Sequence, residues 1–398
     1  MRPGRAIGGQ GGAIEAVSWR AQRRWLSFRS GKKIYLAGAL IAVIAGAAVF
    51  IRFFPTHAVL DRKSVAVLPF DNVGDDTQNA YLSDGITAEV IFQLSRIADL
   101  RVISRDSVLR YKAMPAATRI SMREIAGELE VATLLESNIQ RSTDRSKVRS
   151  VLYDANSGQQ IWSQSYDREM NDLLGIQTDV AESIAAALRV TLSPDQRDNI
   201  QRQPTSNPIA YDLYLRANEY YALRHKNDNE KAITLYQKAI EQDPKFALAY
   251  VGMANAYIER AGRYGFEEFW FDSAADLCRK AIGLDPGQAR AYAGLARALN
   301  YKGLDQQAHE QTVIALRLAP NDVITNRRAA YDAEMSGRVD EQYAFRRKCH
   351  ELDPNSVEDP YWLARICAWA GETETMEKWM GRAIKVENDP QQRSLFEV

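Results

Sequence analysis

Four six-residue phrases decide the reading of the C-terminal half: Ala239–Pro244 (AIEQDP), Ala281–Pro286 (AIGLDP), Ala315–Pro320 (ALRLAP) and Cys349–Pro354 (CHELDP). A fifth copy, Ala383–Asn388 (AIKVEN), lacks the proline. Successive copies end 42, 34, 34 and 34 residues apart. A fixed period of this length marks one supersecondary unit repeated in tandem. Each proline stops a helix, so each phrase closes a helical unit. Inside the units, large and small residues recur at helical spacing. The third copy has Tyr292, Leu295, Ala296, Ala308 and Ala315; the second has Tyr250, Met253, Ala254, Tyr257, Ala274 and Ala281. The first keeps Ala232, Tyr236 and Ala239, and the fifth keeps Leu363, Ala364, Met380 and Ala383. Small residues let helices cross closely and large ones fill the spaces between. The fourth copy keeps Asn326, Ala329 and Ala330 but has Gln342 and Arg346 where small or apolar residues are expected.

Thirty-four is the tetratricopeptide period. Residues 209–398 therefore resemble a tetratricopeptide (TPR) solenoid of about five repeats, each a helical hairpin that buries its face only by stacking. The resemblance implies a concave face, lined by the first helix of each pair, that receives a peptide or a partner helix. Carried onto this chain, the family's groove positions are Asn255, Glu259, Arg290, Arg297, Asn300, Tyr301, Arg327, Tyr331, Glu334, Tyr361, Arg365 and Trp369. Four arginines among aromatics suit an acidic segment or a terminal carboxylate. The competing reading is an ordinary solvated helix face. The eight extra residues of the second copy fall in RAGRYGFEEFWF, dense in Tyr264, Phe266, Phe269, Trp270 and Phe271. That insertion either packs on a neighbouring helix or forms an exposed docking patch.

The 398 residues carry 51 Lys+Arg, 51 Asp+Glu, four His and three Cys. Zero net charge argues against a protein that coats nucleic acid, and no nucleic-acid partner is expected. Cys278, Cys349 and Cys367 are too few and too scattered for a disulfide framework or a cysteine zinc site. No nucleophile–base pairing, metal spacing or phosphate loop stands in its proper context, so no enzyme activity, cofactor or metal is expected.

The neutral total hides an asymmetry. Residues 1–33 carry eight Lys/Arg against Glu15 alone. Ile34–Ile51 then runs 18 residues without a charge, about 27 Å as a helix and close to the hydrocarbon core of a bilayer. Tyr35 and Phe53-Phe54 sit at its ends, where interfacial aromatics belong. A cleaved signal peptide fits less well, because the leading segment is long and no clear cleavage site follows. The expectation is a basic cytoplasmic tail over 1–33, with Trp19, Trp25 and Phe28 interleaved among arginines that could rest on anionic lipid. A single transmembrane helix over 34–54 follows, and the bulk of the chain lies in the periplasm of a bacterium with two membranes. A periplasm-active reporter fused after Val398 should then be active; activity of a cytoplasm-only reporter there would sink the topology.

Residues 63–192 read as a small α/β domain. Lys63–Phe70 is a buried strand, Tyr81–Ile97 a helix, Leu100–Ser104 a short strand, and Ser121 with Glu124 a capping box. Val131–Gln140 and Lys147–Asp154 read as strands, with Gln160–Tyr166 returning as a hairpin arm and Asp172–Leu192 as a closing helix. The order of SVAVLPFDN (64–72), YLSDGITAEVIFQLSRI (81–97), RVISRDSVLRYK (101–112), REIAGELEVATLLESNIQR (123–141) and LYDANSGQQIWSQSYDRE (152–169) resembles the TolB-type amino-terminal domain. That domain occurs in bacterial membrane-anchored proteins, usually ahead of TPR repeats, and carries no catalytic motif to transfer. Glu136-Ser137-Asn138 departs from the family's usual Glu-Gly-Ser or Glu-Gly-Thr. In many such relatives a nucleotide cyclase or winged-helix domain precedes the span; the 33 residues here leave no room for one. Asp71, Asp75, Asp76 and Asp84 do not have calcium-loop spacing and read as solvated charge.

The stretch 193–208 has three prolines and little apolar content, and reads as a linker between parts that fold independently. Together these features predict an α/β domain plus an all-α TPR solenoid behind one transmembrane helix. The expected function is that of an inner-membrane-anchored adaptor or sensor whose exported repeats bind a protein or peptide. The alternative is the sensory half of a signalling system related to membrane-bound transcriptional regulators or nucleotide cyclases. An in-frame cyclase or winged-helix segment upstream in the genomic DNA would favour that alternative.

Overall fold

The computed structural model describes residues 63–73, 80–112, 120–141, 145–169 and 173–387. All belong to one compact unit, Val59–Val398. The predicted tail and membrane span lie outside the described residues. Among the described residues no helix is long and apolar enough to cross a membrane.

The α/β part is built on a mixed sheet. Its strands are β1 (Ser64–Val67), β2 (Asp71–Asn72), β3 (Arg101–Val102), β4 (Thr133–Arg141), β5 (Arg145–Asp154) and β6 (Gln160–Glu169). The spatial order is β3-β1-β4-β5-β6, with β2 also on β4. The pairs among β1 to β4 are parallel; β4, β5 and β6 form an antiparallel meander. Parallel strands need crossovers, which helices α1 (Ala80–Ser95), α2 (Arg105–Leu109) and α3 (Met122–Glu128) supply. Ser121 and Glu124 form the expected capping box at α3, with Ser121 N donating to Glu124 Oε2 at 2.7 Å. Ser137 faces Ser150 across β4–β5 and bonds its hydroxyl at 2.8 Å. The buried polar pair thus satisfies itself. Helix α4 (Leu173–Ala187) closes this part.

The stretch read as a linker is partly helical. Residues Pro194–Gln201 form α5, capped by Ser193 and Gln196, with Ile200 fully buried. One well-placed isoleucine and a capping box are enough to hold a short polar helix against a neighbour. The helix touches α4 through Thr178 Oγ1, which donates to the Ile200 carbonyl.

Five helical hairpins follow, as the repeat spacing predicts. They are α6 (Pro208–Ala222) with α7 (Lys226–Gln242), α8 (Ala247–Gly262) with α9 (Phe269–Leu284), and α10 (Ala289–Tyr301) with α11 (Asp305–Leu318). The last two are α12 (Val323–Met335) with α13 (Val339–Leu352), and α14 (Glu358–Trp369) with α15 (Thr373–Val386). Each hairpin stacks on the next. The expected small positions are sealed: Ala254, Ala296, Ala330 and Ala364 on the first helices, and Ala239, Ala281, Ala315, Cys349 and Ala383 on the second. Gly303, Gly337 and Gly371 end three first helices at the same point with φ of 71°, 67° and 78°. That is the left-handed conformation a tight helix exit requires.

The misfit residues of the fourth repeat are not displaced to the surface. Gln342 and Arg346 are buried. Arg346 Nη1 meets Asp359 Oδ1 at 3.1 Å and Glu358 Oε1 at 3.0 Å, while Asp359 Oδ2 also receives Arg327 Nη2 at 2.8 Å. Repeats four and five are thus joined by a buried charge cluster; the positions equivalent to Arg346 in the other repeats, Tyr236, Cys278, Thr312 and Met380, carry no charge. Removing one member would strand a buried charge.

The two parts share one apolar core, which runs from Val65 through α1 and α4 into Tyr211, Tyr214, Leu215, Tyr236 and Phe246 of the first repeats. Helix α1 packs on the sheet and on α6 together, so it is apolar on opposite sides. Gly85 lets those helices meet: a Cβ there would sit 2.6 Å from Leu215 Cδ2. The expectation of independent parts separated at 193–208 therefore gives way to a continuous core.

Candidate partner-binding groove

The α/β part docks along the repeat stack, from the first repeat to the turn that leads into the last. Its contacts fall on three successive inter-repeat turns at the same repeat position, Gly287, Asn321 and Asn355, spaced by the 34-residue period. Gly287 O accepts from Arg96 Nη2 at 2.9 Å. Asn321 Nδ2 donates to Ile97 O at 2.8 Å and Ala98 O at 3.0 Å. Asn355 N donates to Ser107 Oγ at 3.1 Å, and Asp353 accepts from Ser104 Oγ at 2.6 Å. Phe92 fills the space against Ala289 and Ala319.

This docking changes the status of the predicted groove arginines. Arg290 Nη1 is 2.7 Å from Glu89 Oε1, and its guanidinium lies 3.7 Å from the Phe92 ring centroid. Arg327 Nη2 binds Asp353 at 2.7 Å and Asp359 at 2.8 Å. Arg297 pairs with Glu259, which Arg263 also holds at 2.6 Å. Three of the four arginines, and Glu259 with them, are already matched inside the chain.

Arg365 differs. Among the described residues no carboxylate lies within ion-pair distance of it, and its guanidinium rests over Trp362, Trp369 and Tyr361 at 4.5, 5.1 and 5.8 Å. Sequence reasoning misses a second such cation, Arg328. It is half-buried on α12 beside Tyr331, 5.1 Å from that ring, with no carboxylate in range among the described residues. Burial, and then the nearby Arg297 charge, pushes its guanidinium down to about 10. It remains a cation at neutral pH, held at a cost that a bound anion would offset. The signal available is its place one residue beyond Arg327 on the groove-facing helix.

The remaining predicted positions lie on the first helices of repeats two to five. Asn255 lies on α8 beside Gly294 of α10, and Asn300 Nδ2 makes a long bond to Asp305 at 3.4 Å. Tyr301 stacks on Phe271, centroids 4.5 Å apart and planes 7° apart, yet stays half exposed. Glu334 is half-buried on α12, the helix that also carries Tyr331. Tyr301 and Trp369 occupy the same point of repeats three and five, and Trp369 is 62% exposed. Of the aromatic insertion, Phe271 is buried, Trp270 packs on Tyr257 at 4.6 Å, and Arg260 lies 4.2 Å from the Trp270 ring. Phe269 is its one large apolar side chain that is mostly exposed, so the insertion is chiefly internal packing.

Asp84, from the acidic set near the start, faces Lys112 and Arg105. Cys278, Cys349 and Cys367 are free and buried, and burial pushes the Cys278 thiol up to about 12.

Comparison with known proteins agrees with this architecture. The family model described as TPR repeat matches residues 221–259, across the junction of the first two hairpins. Over 193 residues the chain is 31% identical to a protein named "Putative adenylate cyclase 3" from Rhizobium meliloti (strain 1021). That match covers 48% of this chain and 32% of the relative, so the chain spans about a third of the relative's length. Similar solved structures include a thermophilic TPR protein of Thermus thermophilus, TTC0263, 16% identical, covering 47% of this chain and 95% of that one at a TM-score of 0.39. Another is Pseudomonas aeruginosa PilF, 16% identical, covering 48% and 83% at 0.40. YrrB, described as a TPR protein with an unusual peptide-binding site, is 20% identical, covering 52% and 98% at 0.34. The helical region of this chain is a stack of tetratricopeptide repeats, preceded by a small α/β region.

Proposed function

We propose that this chain is a protein-binding adaptor, not an enzyme, that captures an acidic segment or terminal carboxylate in its repeat groove, on the first helices of repeats four and five. The observation that carries this reading is the pair Arg328 and Arg365. Both are half-buried, both lie against aromatic rings, and neither has a carboxylate in range among the described residues. Each desolvated Arg–carboxylate contact contributes about 1.5–3 kcal/mol, against under about 1 for an exposed pair. Exposed Trp369 and Tyr301 offer apolar anchors next to that charge. The basic tail and the uncharged run 34–51 support an inner-membrane anchor, with the repeats on the periplasmic side. The order of motifs over 63–192 supports a TolB-type domain beside them.

A fluorescein-labelled acidic peptide with a free C-terminal carboxylate tests the site. Its polarisation should rise on titration with the full chain in neutral detergent. Arg365→Glu should weaken binding at least tenfold, about 1.4 kcal/mol or more, with a larger loss at low salt than at high salt. Wild-type affinity for the peptide in both Arg365→Glu and Arg328→Glu would remove the proposal.

A second reading has its own support. The likeness to a protein named as an adenylate cyclase favours the sensory half of a signalling system, in which groove occupancy is passed on to an output domain. In that reading the groove is the input site, and the docking of the α/β part on three repeat turns is the connection.

A further inference from the structure

A cavity of about 200 Å³ lies away from the groove, between the α/β part and the second helices of the last two repeats. Arg101 and Glu130 line it from the α/β side, Arg347, His350 and Glu351 from α13, and Trp379 and Arg382 from α15. Ligand sites favour such junctions between parts. Guanidinium groups outnumber carboxylates in the lining by three to two, counted over these residues.

The lining is organised. Arg101 Nη1 donates to the Glu351 carbonyl at 2.9 Å and its other nitrogen to the Glu130 carbonyl, which fixes the guanidinium across the junction. Glu130 holds a left-handed backbone, φ 54°, that a non-glycine residue adopts at a cost. Arg347 pairs with Glu351 only at 3.5 Å. Arg382 has no carboxylate in ion-pair range among the described residues; its guanidinium lies 4.8 Å from the Trp379 ring, and Nη1 is 3.3 Å from His350 Nε2. Arginine has only donors, so His350 Nε2 is the acceptor and Nδ1 carries the proton. That Nδ1 is buried with no hydrogen-bond partner. Burial and the Arg382 charge hold His350 below its usual range, consistent with a neutral ring. The cavity therefore presents a loosely paired cation and a cation with no carboxylate among the described residues, beside the flat face of an indole.

We propose that this cavity binds a small planar carboxylate. The carboxylate accepts from the guanidinium groups of Arg347 and Arg382, while the planar body lies along Trp379. Size agrees: an engineered cavity of about 150 Å³ holds benzene, so about 200 Å³ holds a ring bearing one carboxylate. Because its walls come from both parts of the unit, an occupant holds them together and raises stability by mass action.

Benzoate is the first probe, with benzamide as its neutral isostere and inorganic phosphate as an anion without a ring. Calorimetric titration of the full chain in neutral detergent should give saturable benzoate binding at about millimolar or tighter, the range a ligand of about nine heavy atoms can reach. Benzamide and phosphate should bind at least tenfold more weakly. Arg382 is exposed, so Arg382→Ala should keep the wild-type melting temperature while losing benzoate affinity at least tenfold; Trp379→Ala reports the planar contact separately. The benzoate-induced rise in melting temperature should vanish in both variants. Absent saturation by benzoate, equal binding of benzamide, preference for phosphate, or unchanged affinity in Arg382→Ala would each overturn the proposal.

Discussion

Arg290 and Arg365 are both predicted groove residues, but their surroundings give them opposite roles. Arg290 is paired with Glu89, whose side chain is 4% exposed, and covers Phe92. Arg365 has aromatic contacts and no carboxylate among the described residues. Truncating Arg290 leaves a buried carboxylate without its cation, so Arg290→Ala should cost about 3–5 kcal/mol and lower the urea midpoint clearly. Arg365→Ala removes ring contacts only and should cost about 1 kcal/mol. Equal destabilisation by the two changes would show that Arg290 is not structural. The same reasoning makes Arg297→Glu a poor test of binding, because the new carboxylate would face Glu259. None of this is legible in the sequence: Glu89 lies 201 residues from Arg290, and no repeat spacing reveals a partner outside the repeats.

At the scale of elements, the hairpins are legible because their signal is local and redundant. The alanine and cysteine positions, the prolines and the turn glycines all report the same period. The α/β strands are legible for a similar reason, as β-branched runs ended by turns. Helix Pro194–Gln201 is hard to see because its composition is polar; its markers are the Ser193–Gln196 box, the proline at its first position and the single apolar Ile200. The fourth repeat reads as degenerate when Arg346 is taken alone. Asp359 and Glu358, on the next repeat, satisfy it and turn a packing fault into an ion cluster. Docking turns are the least legible of all. Gly287, Asn321 and Asn355 are ordinary turn residues, and only their shared repeat position links them to Arg96, Ile97 and Ser107.

For the molecule as a whole, the consequence is a groove partly occupied by its own chain, along the turns that lead into repeats three, four and five. The α/β part occupies the turns ahead of α10, α12 and α14 and consumes Arg290 and Asp353. What remains accessible is the stretch from Tyr301 through Arg328 and Tyr331 to Arg365 and Trp369. Because three repeat turns are pinned at the repeat spacing, a ligand that alters the curvature of the stack must also strain the α/β contacts. Binding at this accessible stretch is therefore the central claim, and hydrogen–deuterium exchange on the full chain with and without the acidic peptide tests it most directly. Exchange should slow in Val323–Met335 and Glu358–Trp369 and stay unchanged in the insertion around Phe269. Slowing confined to residues 262–271, or no change in the first helices of repeats four and five at saturating peptide, would contradict it.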